Sequence, residues 1–429
     1  MTGTNKPHDE QSQQPPVTEP AAAGRRPQDI LIVGGSLSGL FAAILLKRQG
    51  HNITVLEAAP SSAREGQAAG VGLAADVKRF FDQHDRLKHI PFGTAMTEVQ
   101  ILGPNLEPVH RIPAPFSQTT CDATYYRLRA NFDGLVSGYC PEPPAREAGD
   151  GEPGFQTGAR VLKVDSISGT MTVSATDAAT SEQRTYEADI VIAADGASSI
   201  IRRQLYPGVH RSEPGFLIWR GIVPVTSLSA SLLERVKDRT LLYPMRNSYL
   251  ILYTIPGPNG SLKEADRAIN FAWYDWPSAT TTITGILTDT DGHTHRTTLP
   301  KGKMRAEIRE AQLERAREMF HPELLELPLK LTEPFVSVIS SVMAPKATAF
   351  DNRLFFIGDA LVQLQPNSGQ GTNHAAREAV SLAEVFAGSI TAEEWEAKVL
   401  ETARAERLTS QEFPKKWLYS ASENGEVKA

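Results

Sequence analysis

Asp29 to Glu57 reads DILIVGGSLSGLFAAILLKRQGHNITVLE, and its alternation of apolar runs with a glycine-rich break decides the fold. Ile30 to Val33 is a short β-branched run suited to a strand buried on both faces. After the break, Leu40, Ala43, Ile44 and Leu46 continue at helical spacing, Gly50 stops the segment, and Ile53 to Leu56 reads as a second buried strand. Strand, turn, helix and strand make a βαβ unit. Its turn, Gly34-Gly35-Ser36-Leu37-Ser38-Gly39, matches the dinucleotide fingerprint at the first and third glycines and carries Ser36 at the second. Glu57, ending the second strand with Ala58 beside it, is placed to accept hydrogen bonds from an adenosine ribose. A ligand-free structural turn would use the same glycines. Turn, context and acid together point to a bound nucleotide.

The rest of the chain narrows what surrounds this unit. At 429 residues it exceeds one simple core, and length alone suggests about two to three domains. Lysine and arginine total 44 against 50 acids, a net charge of -6, and no basic run of the nucleic-acid-binding type occurs, so nucleic acid is not expected as a partner. Cys121 and Cys140 form neither a disulfide framework nor a metal spacing, which favours a reducing, cytoplasmic setting and no metal. No apolar run reaches the ~18 residues that span a bilayer, and no signal-peptide pattern opens the chain.

Composition shifts mark the expected boundaries. Residues 1–27 form a polar, proline-rich tail read as disordered. Segments 28–92, 119–204 and 346–390 build a doubly wound, Rossmann-like α/β nucleotide domain from discontinuous pieces. Segments 93–118 and 205–345 supply an α+β domain, mostly antiparallel sheet, whose strands are rich in aromatic residues. A helical segment, 391–429, opens on Thr391-Ala-Glu-Glu394, a capping box.

Two further strand ends repeat the design of the first. Ile190 to Ala194 runs into Asp195-Gly196, and Leu354 to Ile357 runs into Gly358-Asp359. In a doubly wound sheet, ligands sit at the carboxyl ends of the strands, so the three turns can meet on one extended ligand. Taken singly, Asp195 or Asp359 could equally be a helix cap.

Taken together, GGSLSG with Glu57, DGASSIIR, and GDALVQLQPNSGQGTN resemble the three fingerprints of the single-component FAD-dependent aromatic hydroxylases, the para-hydroxybenzoate hydroxylase-like family. QTTCDATYYRLRANFDGL, FLIWRGIVP, LLYPM and NFAWYDW look most like its 2,6-dihydroxypyridine 3-monooxygenase branch. The resemblance implies FAD as resident cofactor, held at Gly34, Ser36, Leu37, Ser38, Gly39, Glu57, Ala58, Arg129, Asp195, Gly196, Asp359, Pro366, Gly369, Gln370, Gly371, Thr372 and Asn373. It assigns Asp359 to the ribityl chain and Pro366 to Gly371 to the pyrimidine edge of the flavin, and it suggests Arg64 for the adenosine part. It further implies NADPH or NADH as a transient co-substrate, O2, a small aromatic substrate hydroxylated through a flavin hydroperoxide, with decarboxylation open, and frequent homodimers. Where many relatives carry an arginine before the helix after the first crossover, this chain has the region of Cys121, with Arg127 and Arg129 on the helix itself.

The substrate side is written less clearly. Arg220, Tyr243 and Tyr253 are the candidate catalytic groups: an arginine fork can orient a carboxylate or phenolate, and a tyrosine can polarise a phenol. Each could instead be sheet-face packing. A flavin-dependent halogenase is an alternative, although Trp219-Arg220-Gly221-Ile222-Val223-Pro224 lacks the second tryptophan of the usual WxWxIP segment. A non-catalytic flavoprotein that binds an aromatic ligand is another.

Overall fold

Ile30–Val33 and Ile190–Ala193 are buried along their whole length because each lies in the middle of a sheet covered on both faces. A computed structural model describes residues 26–60, 70–277, 281–331 and 333–418; the expected tail up to residue 25, and Arg64, lie outside these. The first sheet runs Thr348–Ala349, Leu354–Phe356, Ile190–Ala193, Asp29–Val33, Asn52–Leu56, Pro153–Gln156. All neighbours are parallel except the edge strand Thr348–Ala349. The three central strands therefore share one carboxyl edge, and the three glycine turns emerge side by side.

Leu37–Arg48 is apolar around most of its circumference because it is enclosed by the sheet and by helices Gly371–Ala387 and Cys121–Asp133. Its buried Lys47 is satisfied by the carboxyl end of the latter helix: Nζ donates to Asn131 O at 3.0 Å and Phe132 O at 2.7 Å. A three-stranded meander, Ala159–Ile167, Thr170–Asp177 and Gln183–Ala188, leads into Ile190–Ala193.

The second sheet has nine strands, in the order Thr298–Leu299, Phe335–Val338, Leu217–Pro224, Ala268–Asp275, Ser248–Ile255, Arg239–Met245, Thr94–Leu102, Pro108–Thr120, Gly70–Leu73. Gly70–Leu73, which sequence reading grouped with the nucleotide domain, is its last strand. One face packs Trp219, Tyr243, Leu250 and Trp273 in a core shared with helices Ala230–Val236 and Ala306–Met319. Helix Ala392–Leu418 closes the molecule, and its capping box is formed: Thr391 N donates to Glu394 Oε2 at 2.8 Å and Glu394 N to Thr391 Oγ1 at 3.1 Å. Among the described residues no helix is long and apolar enough to cross a membrane.

Candidate functional site

The glycines of the first turn are dictated by close approach. Gly34 has φ +108°, and a Cβ there would lie 2.2 Å from Ala194 O, so the first and second turns touch backbone to backbone. A Cβ on Gly39 would lie 2.1 Å from Gly34 O. Ser36 is exposed and extended ahead of the helix, whose first bond runs from Leu40 N to Ser36 O at 3.0 Å. The amides of Leu37, Ser38 and Gly39 consequently open the helix, and no acid occupies its first turn, as an anion site requires.

Glu57 sits where the sequence placed it, with its carboxylate already tying the turn together: Oε2 accepts from Gly35 N and Oε1 from Ala59 N, both at 2.9 Å, beside exposed Ala58. Arg129 is buried on the adjoining helix. It stacks 3.5 Å from the centroid of Phe155, whose ring lies against Gly35, and its guanidinium is held by Asp133 at 2.7 Å and the Tyr125 hydroxyl at 2.7 Å. Arg127 is committed to Asp85, 2.7 Å away, and to the Leu87 and Ile90 carbonyls.

Asp195 caps the helix that follows, accepting from Ile200 N at 2.7 Å through Oδ2, while its buried Oδ1 has no hydrogen-bond partner. Burial pushes this carboxyl up, against the Ser199 hydroxyl and the helix amides. Gly196 takes φ +74°, which turns the chain between strand and helix. Arg202, from that helix, reaches the third turn: Nη1 donates to Asp359 O at 3.0 Å and Ala360 O at 2.6 Å, and Nη2 to Ala197 O. Burial lowers Arg202 to about 10 without neutralising it near pH 7. Gly358 adopts φ +58° against Ser38, whose Oγ would be 2.0 Å from a Cβ. The three turns, far apart in sequence, thus form one contiguous surface.

Asp359 opens onto that surface. Desolvation by the surrounding protein pushes its carboxyl up to about 6, with His374 opposing and Glu378 adding, which leaves it mostly ionised at neutral pH. Pro366–Ser368 is a single 3-10 turn, Gly369 reverses the chain at φ +66°, and Gln370 leads into Gly371–Ala387. The first bond of that helix is His374 N to Gln370 O, 2.8 Å, so the amides of Gly371, Thr372 and Asn373 face outward at its start. The Asn373 side chain is spent elsewhere: Oδ1 accepts from Asp76 N at 2.7 Å and Val77 N at 3.2 Å, capping helix Ala75–His84. The residues fit FAD. Two helix amino ends and a free-standing carboxylate line one edge, a Cβ on Gly369 or Gly371 would meet nothing within 4 Å, and Gln365 Oε1 and Ser368 Oγ are buried without partners in the loop between.

Strand register separates the substrate-side candidates. Opposite residues share a face, and the pairs Tyr253–Asn270, Arg220–Ala272 and Tyr249–Tyr274 put Arg220, Tyr253, Asn270, Tyr249 and Tyr274 together. Tyr243 pairs with Leu250, hence with Trp273 and Trp219, on the other face. Tyr243 and Tyr253, both candidates from the sequence, therefore do not share a pocket; one residue of offset turns Tyr243 into the helix-covered core. Arg220 donates to Gly70 O at 3.3 Å while its buried Nε lacks a partner, and Asn270 accepts from Gly70 N at 3.0 Å while Nδ2 is buried without one. Gly70 lies against the Tyr253 ring. Burial pushes the Tyr253 phenol up to about 12, with Arg220 opposing, and raises Tyr274 as well. Sequence reading missed Asn270, a lone amide in the apolar run NFAWYDW, and the buried pair His374 and Glu378, which the i,i+4 spacing on one helix could have flagged.

Comparison with known proteins agrees with this geometry. A family profile described as NAD(P)-binding Rossmann-like domain matches residues 32–83, and one described as FAD binding domain-like matches 214–341. The 2,6-dihydroxypyridine 3-monooxygenase of Paenarthrobacter nicotinovorans is 26% identical over 384 residues, covering 88% of each chain. The kynurenine 3-monooxygenase of Salinispora tropica is 27% identical over 388 residues, covering 84% of this chain and 73% of that one. The chain is similar to single-component FAD-dependent aromatic hydroxylases. The solved 2,6-dihydroxypyridine-3-hydroxylase of Arthrobacter nicotinovorans shares the fold, with TM-score 0.79 at 22% identity over 95% of this chain and 99% of that one. A salicylate hydroxylase complex does so with TM-score 0.67 at 16% identity, covering 93% and 91%. As an FAD-dependent hydroxylase, the chain carries its Rossmann-like match on the glycine turn and its second match on the nine-stranded sheet.

Proposed function

We propose that this hydroxylase uses NAD(P)H and O2 to hydroxylate an electron-rich aromatic ring: a phenol, a hydroxybenzoate or a hydroxypyridine. The observation that carries the reading is the meeting of three turns, Gly34 to Gly39, Asp195-Gly196 and Gly358-Asp359, through Gly34 on Ala194, Arg202 on the Asp359 carbonyl and Ser38 on Gly358. FAD, when bound, supplies electron transfer from the nicotinamide and the activation of oxygen.

The chain's own residues do the rest. Helix amides at Leu37 to Gly39 bind the pyrophosphate, Glu57 the ribose and Asp359 the ribityl chain. The amides of Gly371 to Asn373 stabilise negative charge on the flavin's pyrimidine edge. Arg220, fixed on Gly70 O, orients an acidic oxygen of the substrate, and the Tyr253 hydroxyl beside it stays protonated and donates to that oxygen. The apolar sheet around them limits water. The identity of the relatives with activity on hydroxypyridine and kynurenine supports a small, polar, nitrogen-containing aromatic as the first class to try.

The test follows NAD(P)H oxidation with a panel of phenols, hydroxybenzoates and hydroxypyridines under isotopically labelled O2. Substrate-dependent oxidation with one labelled oxygen in the product supports the reading. Oxidation that no aromatic compound stimulates, with no labelled product, contradicts it.

A further inference from the structure

Behind the third turn lies a chain of buried charge that the reading above does not use. Glu378 is 1% exposed, and its Oε2 accepts from the Gly358 amide, the residue before Asp359. Its other oxygen stands 2.7 Å from His374 Nε2. His374 is itself 2% exposed, and its Nδ1 is 2.5 Å from Glu406 Oε2 on helix Ala392–Leu418. Glu406 continues to Arg377 at 2.6 Å, and Arg377 to Asp76 at 3.1 Å, where the Asn373 amide also donates at 3.0 Å.

Geometry sets the charge of the imidazole. Nδ1 is hydrogen-bonded to Glu406, while Nε2 stands in ion-pair contact with Glu378 Oε1 without an aligned hydrogen bond, and two flanking carboxylates favour the cation. The groups that face it are Glu378 and Arg377 on its own helix, Glu406 on the C-terminal helix and Asp359 on the turn, with Asp76 behind Arg377. Burial opposes the charge, but Glu378 and Glu406 outweigh it and raise His374 to about 10.

We propose that His374 is a positioning residue for the cofactor: clamped between Glu378 and Glu406, it holds the Glu378 carboxylate on the Gly358 amide and thereby fixes Asp359 for the ribityl chain. Without the cation, Glu378 is a buried, unpaired carboxylate. With no counter-charge beside it, this buried arrangement is disfavoured and the hold on Gly358 weakens. The C-terminal helix, outside every fingerprint, becomes part of the flavin site through Glu406. Because His374 is raised in the folded protein, its contribution is complete below its ordinary value and is lost as pH rises through about 10.

The inference rests on FAD being the cofactor, and the test separates the two. FAD release from the full-length protein is followed by flavin fluorescence across about pH 7 to pH 10, with folding checked by circular dichroism. Wild type, Glu406→Gln, Glu406→Asp, His374→Gln and the control Glu412→Gln, whose partner among the described residues is Lys415 on the exposed helix surface, are compared. Removing one carboxylate partner in Glu406→Gln is expected to lower the pH of release by about one unit or more. His374→Gln is expected to weaken FAD binding about tenfold already at neutral pH. Glu406→Asp, which keeps the charge, recovers most of the wild-type profile, and Glu412→Gln keeps all of it. Folded Glu406→Gln and His374→Gln proteins that release FAD like wild type overturn the clamp alone. A wild type that takes up no FAD overturns the cofactor reading and the clamp with it.

Discussion

The edge of the parallel sheet and the face of the antiparallel sheet are the two halves of this site, and they are encoded differently. At the parallel edge, function rests on backbone: amides at two helix starts, carbonyls gripped by Arg202, and glycines at Gly34, Gly39 and Gly358 where a Cβ would strike a neighbour. Such constraints select residue types at fixed local spacing. On the antiparallel face, function rests on which side chains share a side. That depends on register between strands, as Tyr243 and Tyr253 show by falling on opposite faces with the same residue type in similar strands.

If this contrast holds, substitutions at the edge weaken or abolish cofactor binding and those on the face spare it. Arg202→Ala has the largest expected effect. It strands the buried carbonyl of Ala360 and the part-buried carbonyls of Ala197 and Asp359, costs about 3 kcal/mol of stability by denaturant unfolding, and leaves a protein that retains no FAD. Next comes Tyr253→Phe, with hydroxylation about 100-fold slower in steady-state assays and FAD content unchanged. Its mirror, Tyr243→Phe, leaves turnover within about twofold and costs about 1 kcal/mol of stability; a large rate loss there would break the face assignment. Gly358→Ala weakens FAD binding about tenfold through the clash with Ser38 and the positive φ, and adding Ser38→Gly restores part of it in a titration. The smallest effect is Asn373→Ala, which removes the cap of helix Ala75–His84 and lowers unfolding stability by about 1 kcal/mol.

The same contrast explains what the sequence disclosed. The βαβ unit, the three turns and the capping box at Thr391 were legible because each is a local pattern with one structural meaning. Glu57 was placed correctly at the strand end, although its grip on Gly35 and Ala59 was not foreseen. Gly70–Leu73 lay in a stretch read as a loop within segment 28–92, because a short glycine-containing strand carries almost no pattern and its partner Ser117–Thr120 is some fifty residues on. Asn373 was read as a cofactor contact from its place in a motif; its amide opens the helix toward the site, while its side chain caps a helix three hundred positions earlier, which the motif did not disclose. Asn270 and Glu406 gave no signal strong enough to single them out, since each becomes informative only through a neighbour distant in sequence.

The central claim is that the three turns form one FAD site, and the most direct measurement is titration of the purified, flavin-stripped protein with FAD, read by quenching of flavin fluorescence alongside the same titration of Arg202→Ala. The account expects saturable uptake of one FAD per wild-type chain and none by the folded variant. Uptake unchanged by Arg202→Ala, or no uptake by wild type, would contradict it.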